Sequence, residues 1–264
     1  MLLELSHKLE AIHQLTFSLP PLLTQKEELF ITLAGLRGAL FPFLDGVCSS
    51  SSITLVDLER LGEQFGRLHG LPPDAGIRLA AEDFGIEEGA RFDRAIEKIL
   101  TRRTSATNSA AGAAKVREQL KIVKEASREL TRLRENALLS QQYFVITHGD
   151  AHPANMLREG SGNIRLIDWD LAIRAPAERD LFMFRGRDTL RFEAFYKGYK
   201  RLRPAFEISP GLLSFFALVR TVSDIADWAE QLASPHQAED EAVHSLDGLD
   251  EELERLNIIL GALT

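Results

Sequence analysis

The sequence contains a single cysteine, Cys48, so no disulfide can form within the chain. Because disulfides accumulate in oxidising compartments, we expect a reducing, cytoplasmic location. The first ten residues lack the basic segment and long apolar run of a secretory signal peptide. No apolar run approaches the roughly 20 residues that a membrane-spanning helix requires, so we expect no membrane partner.

Positive charge is scarcer than negative charge. The chain has 31 Lys and Arg against 39 Asp and Glu, which gives a formal net charge of −8. An acidic surface repels phosphate backbones, so this balance argues against a nucleic-acid partner and is compatible with a cationic small substrate.

Apolar residues make up 45% of the chain, enough to bury a core in one large domain or two small ones.

The most informative stretch runs from Tyr143 to Asp170. An apolar run leads into a His-Gly-Asp sequence that ends at Asp150, and four residues separate Asp150 from Asn155. A Gly- and Asn-rich turn at 160–163 follows, and a second apolar run leads to Asp168. We interpret this pattern as strand, loop, short strand, turn and short strand. The hairpin would bring Asn155 and Asp168 to the same end of a small sheet.

These residue types suit phosphoryl chemistry. Carboxylate and amide oxygens are hard ligands of the kind that Mg²⁺ prefers, with substrate phosphates completing its coordination. Protein kinases have the same order and spacing, with His-Arg-Asp, four residues, Asn, and a later Asp-Phe-Gly. Here Gly149 replaces the arginine, and Asp168-Trp169-Asp170 replaces Asp-Phe-Gly.

The same stretch also permits a metal-hydrolase interpretation. It contains five side chains that can ligate a metal ion: His148, Asp150, His152, Asp168 and Asp170. His148 and His152 are four residues apart, as in the His-Glu-x-x-His zinc helix. However, Gly149 and Pro153 disfavour a continuous helix, so the two rings need not share a face.

Hydrophobic periodicity and turn signals outline the rest of the chain. They predict helices over 2–15, 54–70, 86–100, 115–138, 189–201, 210–233 and 249–262. They predict strands over 29–33 and 39–44, and a small-residue connector over 104–114.

Four segments resemble one known superfamily: HGDAHPANML, IRLIDWD, APAERDL at 175–181 and RTVSDIADW at 220–228. The first two resemble the motif pair of the aminoglycoside phosphotransferase and choline-kinase-like superfamily. The last two are most similar to its spectinomycin phosphotransferase branch. The resemblance covers roughly residues 36 to 233.

The resemblance implies an α+β, protein-kinase-like fold. A truncated N-terminal lobe of one helix and two strands would span 1–44, and a mostly helical C-terminal lobe carrying the catalytic hairpin would span 45–264. It implies an ATP-dependent phosphotransferase that acts on a hydroxyl of a small, amino-bearing molecule such as an aminoglycoside or aminocyclitol. ATP is then the co-substrate and Mg²⁺ the metal.

The resemblance also implies roles for individual residues. Asp150 would be the catalytic base, and Asn155 and Asp168 would be the Mg²⁺ ligands. Nucleotide-binding residues would be those of the hinge and the adenine floor: Pro42, Phe43, Leu44, Leu157 and Ile167. The acceptor would contact Asp224, Asp227 and Trp228, although acidic residues there also fit a solvated helix face. His69 resembles a family histidine at the end of a helix, and Asp180 resembles a structural residue.

Two parts of a kinase-like nucleotide site are not found in the sequence. There is no Gly-x-Gly-x-x-Gly or Walker A motif, and no lysine lies in a strand ahead of the first helix. Only about 40 residues precede the hinge, whereas a five-stranded lobe with one helix needs roughly 55–60. An alternative is therefore a truncated or non-catalytic kinase-like binding module.

Overall fold

The computed structural model describes residues 2–11, 13–48, 53–72, 76, 78–84, 87–101, 107–139, 143–185, 188–234 and 239–263. The chain forms two compact units. The mixed unit combines Met1–Glu82 with Tyr143–Ile208, and the helical unit combines Asp83–Gln142 with Ser209–Thr264. A lobe boundary at 44/45 stays a prediction.

The described residues form α-helices and short strands. The helices are α1 (Leu2–Ala11), α2 (Leu55–Leu68), α3 (Glu87–Thr101), α4 (Thr107–Glu118), α5 (Leu120–Leu139), α6 (Glu178–Leu181), α7 (Thr189–Leu202), α8 (Pro210–Leu232) and α9 (Glu239–Gly261). The strands are β1 (Ile31–Leu33), β2 (Leu36–Gly38), β3 (Gly46–Cys48), β4 (Phe144–Thr147), β5 (Met156–Glu159), β6 (Ile164–Leu166) and β7 (Ile173–Pro176).

These strands lie in the mixed unit and form three small antiparallel sheets, ordered β1-β2, β3-β5-β6 and β4-β7. In the three-stranded sheet Cys48 lies opposite Leu157, so the segment after residue 45 runs along the hairpin of β5 and β6. Met156 lies opposite Leu166 in the pairing of β5 with β6. The predicted hairpin after the His-Gly-Asp sequence is therefore present.

Helix α2 is the central helix of the mixed unit. Thr54 caps it and exchanges hydrogen bonds with Asp57 in a capping box, which satisfies amide groups that the first turn leaves without helical partners. Its apolar stripe is buried: Leu58, Leu61, Phe65 and Leu68. The helix packs closely against α7 because glycines lie at the contact. A Cβ atom on Gly62 would lie 1.9 Å from the carbonyl oxygen of Phe195.

The helical unit consists of α3, α4, α5, α8 and α9, with α8 packed against α3, α5 and α9. Ser209 caps α8 by accepting the Leu212 amide, and Pro210 occupies the first turn, where its missing N–H needs no partner. Phe84 adds an aromatic contact to Phe215 of this helix. No helix among the described residues is long and apolar enough to cross a membrane.

Several predicted elements are wrong in extent. The helix expected over 2–15 ends at Ala11, and the helix expected over 249–262 begins at Glu239. The small-residue segment expected to be a connector over 104–114 is largely helical, because Thr107–Glu118 forms α4. The helix expected over 115–138 is two helices, which meet at Gln119. The strand expected over 39–44 is irregular backbone, and β2 lies earlier, at Leu36–Gly38.

Candidate active site

Asp150 and Asn155 are joined by direct hydrogen bonds. Strand β4 ends at Thr147, and the chain then passes through Asp150 into a 3₁₀ turn over Pro153–Asn155. The Asn155 side-chain nitrogen donates to the Asp150 carbonyl oxygen over 2.9 Å and to its Oδ2 over 3.0 Å. Asn155 is buried, and its amide nitrogen is used by Asp150. Its amide oxygen is therefore the atom left for a metal ion.

The second motif is attached to the first through the backbone. The amide of Ile167 donates to the carbonyl oxygen of Asn155 over 3.0 Å, just beyond the pairing of β5 with β6. Asp168 follows immediately, with an exposed residue surface and a left-handed φ of 61°. Aspartate tolerates this conformation better than most side chains. The hairpin thus brings the backbones of the two predicted Mg²⁺ ligands together.

His148 is a structural member of the loop. Its Nδ1 accepts the Asp150 amide over 3.1 Å, and its Nε2 lies 3.0 Å from the carbonyl oxygen of Ile167. A ring that accepts at Nδ1 and faces a carbonyl at Nε2 is the neutral Nε2–H tautomer. Burial lowers the pKa of His148, in spite of the raising effects of Asp180 and of the Ile167 hydrogen bond, which agrees with a neutral ring.

The hydrolase interpretation has no support in this geometry. Both nitrogens of His148 are used by backbone groups. His152 lies in a turn, where its Nδ1 accepts the Ala154 amide over 3.2 Å. The described residues contain no group of three or more His, Cys, Asp or Glu side chains placed to hold a metal ion.

Asp180 fixes the start of the loop that follows β4. It is fully buried on α6, and its two carboxylate oxygens accept the backbone amides of His148 and Gly149 over 2.9 and 2.7 Å. The imidazole Nε2 of His69, at the end of α2, lies 3.1 Å from the same carboxylate. Burial acts to raise the pKa of Asp180, but the hydrogen bond and charge of His69 and the Gly149 amide outweigh it and lower the pKa.

Gly149 has a conformation that suits glycine. Its φ is +85°, and a Cβ atom at this position would lie 2.0 Å from an Arg179 guanidinium nitrogen. The Arg179 side chain also donates to the Thr147 hydroxyl over 3.0 Å. The glycine that replaces the kinase arginine therefore leaves room for an arginine from α6.

The predicted nucleotide-binding residues lie around the three-stranded sheet. Pro42, Phe43 and Leu44 lie in the irregular segment before β3, where Phe43 is 94% exposed. Leu157 lies on β5, and a Cβ atom on Gly46 would come within 2.9 Å of its side chain. Ile167 is half-buried beyond β6. A role for these five residues in binding adenine stays a prediction.

The predicted acceptor residues lie on α8, in the helical unit. Asp224 accepts from Arg220 Nε over 2.9 Å. Asp227 is paired with Arg91, which also donates to Glu230 over 2.7 Å. The Trp228 ring lies against α9, where a Cβ atom on Gly248 would be 2.5 Å from it. All three side chains have contacts within the helical unit, and their role in acceptor binding stays a prediction.

Solved structures show the same fold. Spectinomycin phosphotransferase APH(9)-Ia, in complex with ADP and spectinomycin, is 20% identical with a TM-score of 0.80 over 96% of this chain and 81% of that chain. An aminoglycoside phosphotransferase from Alicyclobacillus acidocaldarius is 13% identical with a TM-score of 0.62 over 99% and 82%. A choline/ethanolamine kinase family protein from Mesorhizobium loti is 16% identical with a TM-score of 0.59 over 97% and 77%.

No curated protein matches the sequence. The profile of the phosphotransferase enzyme family, APH, matches residues 13–206, which is most of the chain. The predicted α+β, protein-kinase-like fold is confirmed by the solved structures, and the predicted superfamily is confirmed by the profile. The chain is a member of the phosphotransferase enzyme family.

Proposed function

We propose that the protein transfers the γ-phosphoryl group of ATP to a hydroxyl of a small, amino-bearing molecule. The proposal depends on the way the motif residues are held together. The Asn155 side chain donates a hydrogen bond to the Asp150 carboxylate, and the amide of Ile167, the residue before Asp168, donates to the Asn155 carbonyl oxygen. Family membership supports a small-molecule phosphotransferase. The ADP complex of the spectinomycin enzyme supports ATP as the co-substrate.

Asp150 is the proposed base or orienting group for the acceptor hydroxyl. Its side chain is 15% exposed, so a small molecule can reach an otherwise enclosed carboxylate. The Asn155 amide holds the carboxylate from one side, and His152 Nε2 lies 3.4 Å from its Oδ2. A fixed carboxylate can accept a hydrogen bond from a hydroxyl and direct its oxygen at a phosphorus atom.

The donor set fits Mg²⁺. The Asn155 amide oxygen and the exposed Asp168 residue offer the hard oxygen ligands that this ion takes together with nucleotide phosphates. When bound there, Mg²⁺ would neutralise charge on the transferring phosphoryl group. Asn155 and Asp168 would hold the ion, and the Ile167–Asn155 hydrogen bond would keep the two residues in register.

The amino-bearing acceptor is supported by charge. The chain has a net charge of −8, which favours a cationic ligand over an anionic one. The spectinomycin complex supports an aminocyclitol-like acceptor as the first class to test. Asp224, Asp227 and Trp228 are the proposed acceptor contacts.

The test is product formation. The protein would be incubated with millimolar Mg²⁺·ATP and a panel of aminocyclitols, aminoglycosides, choline-like alcohols, amino acids and sugars, with mass spectrometry to detect phosphorylated product. We expect at least one amino-bearing acceptor to gain a phosphoryl group. Asp150→Asn should lower the rate by about 10²-fold or more. Asp247→Asn, an exposed carboxylate on α9, should leave the rate unchanged.

A non-catalytic binding module is the second candidate, favoured by the absence of a Gly-x-Gly-x-x-Gly motif from the 264 residues. The same experiment separates the two. Mg²⁺·ATP binding without phosphorylated product from any acceptor would support the binding module. A product that Asp150→Asn forms at the normal rate would remove Asp150 from the mechanism.

A further inference from the structure

A buried tyrosine contacts the residues that hold the loop after β4, and the proposed function does not use it. Tyr199 lies on α7 and is completely buried, as are His69 and Asp180. The Tyr199 hydroxyl oxygen lies 3.0 Å from Nδ1 of His69, and His69 Nε2 lies 3.1 Å from Oδ2 of Asp180. Three polar side chains, from α7, the end of α2 and α6, are thus joined in one row.

The close packing of α2 and α7 positions the tyrosine. A Cβ atom on Gly62 would lie 2.8 Å from the Tyr199 backbone nitrogen, and one on Gly66 would lie 3.1 Å from its carbonyl oxygen. The Tyr199 ring meets the His69 ring edge-on, with the centroids 5.5 Å apart, and Phe206 lies against it at 5.3 Å. The hydroxyl is therefore held next to Nδ1 by packing as well as by the hydrogen bond.

This contact restricts where the hydrogen atoms lie. Burial raises the pKa of the Tyr199 hydroxyl, so the group keeps its proton at neutral pH. Among the described residues, the hydroxyl has one hydrogen-bonding neighbour, Nδ1 of His69. If Nδ1 carried a proton, Tyr199 would accept that proton and its own buried O–H group would have no acceptor, which is unfavourable. Tyr199 therefore donates to Nδ1.

The direction of this hydrogen bond determines the tautomer of His69. A ring that accepts at Nδ1 carries its proton on Nε2, which faces Asp180 and donates to it. Each polar atom in the row then has a partner of the right kind. The other neutral tautomer would direct the Nε2 lone pair at a carboxylate oxygen 3.1 Å away, which is repulsive.

The row ends at the backbone that precedes the proposed base. The Asp180 carboxylate accepts three N–H groups, from His69 Nε2 and from the amides of His148 and Gly149. A buried carboxylate that loses one donor takes up a proton more readily, and a protonated oxygen no longer accepts the amide that faces it. Asp150 directly follows Gly149, so a loss at His69 would loosen the chain next to Asp150.

We propose that Tyr199 is a positioning residue of the candidate active site. Its hydroxyl keeps His69 as the Nε2–H tautomer, and this tautomer keeps Asp180 able to hold the amides of His148 and Gly149. The positions of the protons do not depend on the reaction, whereas an effect of Tyr199 on turnover rests on the proposed function.

The first measurement is the tautomer of His69 in the wild-type protein. Long-range proton–nitrogen correlation spectra of ¹⁵N-labelled protein distinguish a protonated ring nitrogen from an unprotonated one, and the ring signals are assigned through the backbone. At neutral pH we expect His69 to be protonated at Nε2 and unprotonated at Nδ1. A proton on Nδ1, alone or together with one on Nε2, would overturn the proposal. This result does not require any variant to fold.

The second measurement uses Tyr199→Phe, which keeps the ring and removes the hydroxyl. We expect His69 to lose its single tautomer. We also expect the amides of His148 and Gly149 to exchange with solvent about tenfold faster, relative to the Leu61 amide in α2, which reports opening of the whole unit. An unchanged tautomer would overturn the proposal, and so would equal acceleration at all three amides.

Tyr196→Phe is the matched control. Tyr196 lies on the same helix, but its hydroxyl donates to the Phe206 carbonyl oxygen over 3.4 Å, so its loss should change neither the His69 tautomer nor the two exchange rates.

Activity completes the test. With an acceptor that the wild type phosphorylates, Tyr199→Phe should lower turnover about tenfold and Tyr196→Phe should not. Normal turnover in Tyr199→Phe would overturn the positioning role. If the wild type phosphorylates no acceptor, the proposed function fails, and the tautomer and exchange rates still decide the role of Tyr199.

Discussion

At the residue scale, Asp150 and Asp168 are held in different ways. The Asp150 carboxylate accepts the Asn155 amide and is 15% exposed, so its position is fixed before any substrate arrives. Asp168 is an exposed residue whose backbone has a φ of 61°. This difference agrees with a fixed group for the acceptor and an accessible ligand for an ion.

We expect Asp168→Asn to abolish most of the gain in nucleotide affinity that Mg²⁺ provides. Asparagine tolerates the left-handed backbone, whereas alanine would add strain, so the amide isolates the loss of charge. Calorimetric titration with ADP, with and without Mg²⁺, should show that the variant has an affinity for ADP about tenfold or more lower than the wild type only when the metal is present. An equal decrease in metal-free buffer would contradict a role in ion binding. Asp170→Asn provides the neighbouring control.

The loop motif is easier to recognise in the sequence than the contacts that hold the loop in place. The spacing of Asp150, Asn155 and Asp168 within 19 residues suggests a site without knowledge of the fold. The contact between His69 and Asp180 joins residues 111 apart, and it depends on the end of α2 meeting α6. The APAERDL resemblance pointed to Asp180, but no local pattern reveals which amides a buried carboxylate will accept.

At the element scale, the packing of α2 against α7 depends on two glycines. A Cβ atom on Gly198 would lie 1.9 Å from the carbonyl oxygen of Glu59, just as one on Gly62 would meet Phe195. Backbone atoms cannot move aside as a flexible side chain does, so any larger residue must separate the helices.

We therefore expect Gly62→Ala to destabilise the protein by about 3 kcal/mol or more, because overpacking at a backbone contact outweighs the better helix propensity of alanine. A melt should show a decrease of roughly 6–12 °C in Tm for a chain of this size. Gly211→Ala is the control, since nothing lies within 4 Å of its added Cβ atom in α8. Equal Tm values for the two variants would disprove the close approach.

Helix α9 contains a buried acid whose charge opposes folding. Glu252 is buried, and its Oε2 has no hydrogen-bond partner. Burial raises the pKa of Glu252 to about 7, with Arg255 acting to lower it and Asp224 to raise it. Because the folded pKa lies above the unfolded value of about 4.3, the contribution of this group to stability is complete below pH 4.3. It is lost as the pH rises through about 7.

We predict that Glu252→Gln raises the Tm at pH 8 and has little effect at pH 4.5. The amide keeps the shape of the side chain and removes the charge that burial disfavours. The adjacent Glu251→Gln, at an exposed position, should change the Tm little at either pH. Melts of both variants at the two pH values are the measurement. If Glu252→Gln raised the Tm equally at both pH values, the protonation of Glu252 would not be the cause.

The elements were predicted where periodicity was strong and mispredicted where composition was ambiguous. The apolar residues of α2 recur at helical spacing, which is why the sequence predicted this helix. The Ala- and Ser-rich segment of α4 has no clear apolar face, and its helix depends on packing against α9, which comes more than 120 residues later in the chain. The strand expected over 39–44 was apolar enough, but apolar residues alone do not supply a pairing partner.

At the scale of the whole molecule, the 264 residues contain some but not all of the usual parts of a kinase-like site. The 264 residues contain a candidate base, candidate Mg²⁺ ligands and a candidate hinge, but no Gly-x-Gly-x-x-Gly motif. Phosphoryl transfer relies on positioning and charge stabilisation, and loss of one preorganised donor lowers rates on the order of 10²–10³-fold.

We therefore expect these 264 residues to bind ATP weakly and to turn over slowly. Calorimetric ATP titration and a coupled kinase assay would measure both. Micromolar affinity together with turnover near 1 s⁻¹ or above, the ordinary range for kinases, would show that other residues cradle the phosphates. Slow product formation that Asp150→Asn abolishes would fit both this prediction and the proposed function.

The order of the two units along the chain affects which segments can fold first during translation. Helices α3 to α5 leave the ribosome before strand β4. Helix α8, against which α3 and α5 pack, begins only at Pro210. At roughly 5–20 residues per second, the nascent chain holds α3 without that partner for roughly 5–20 s. Synthesis of the mixed unit ends at Ile208, before α8 and α9 appear. The mixed unit can therefore fold during translation before α3 and α5 gain their contacts with α8.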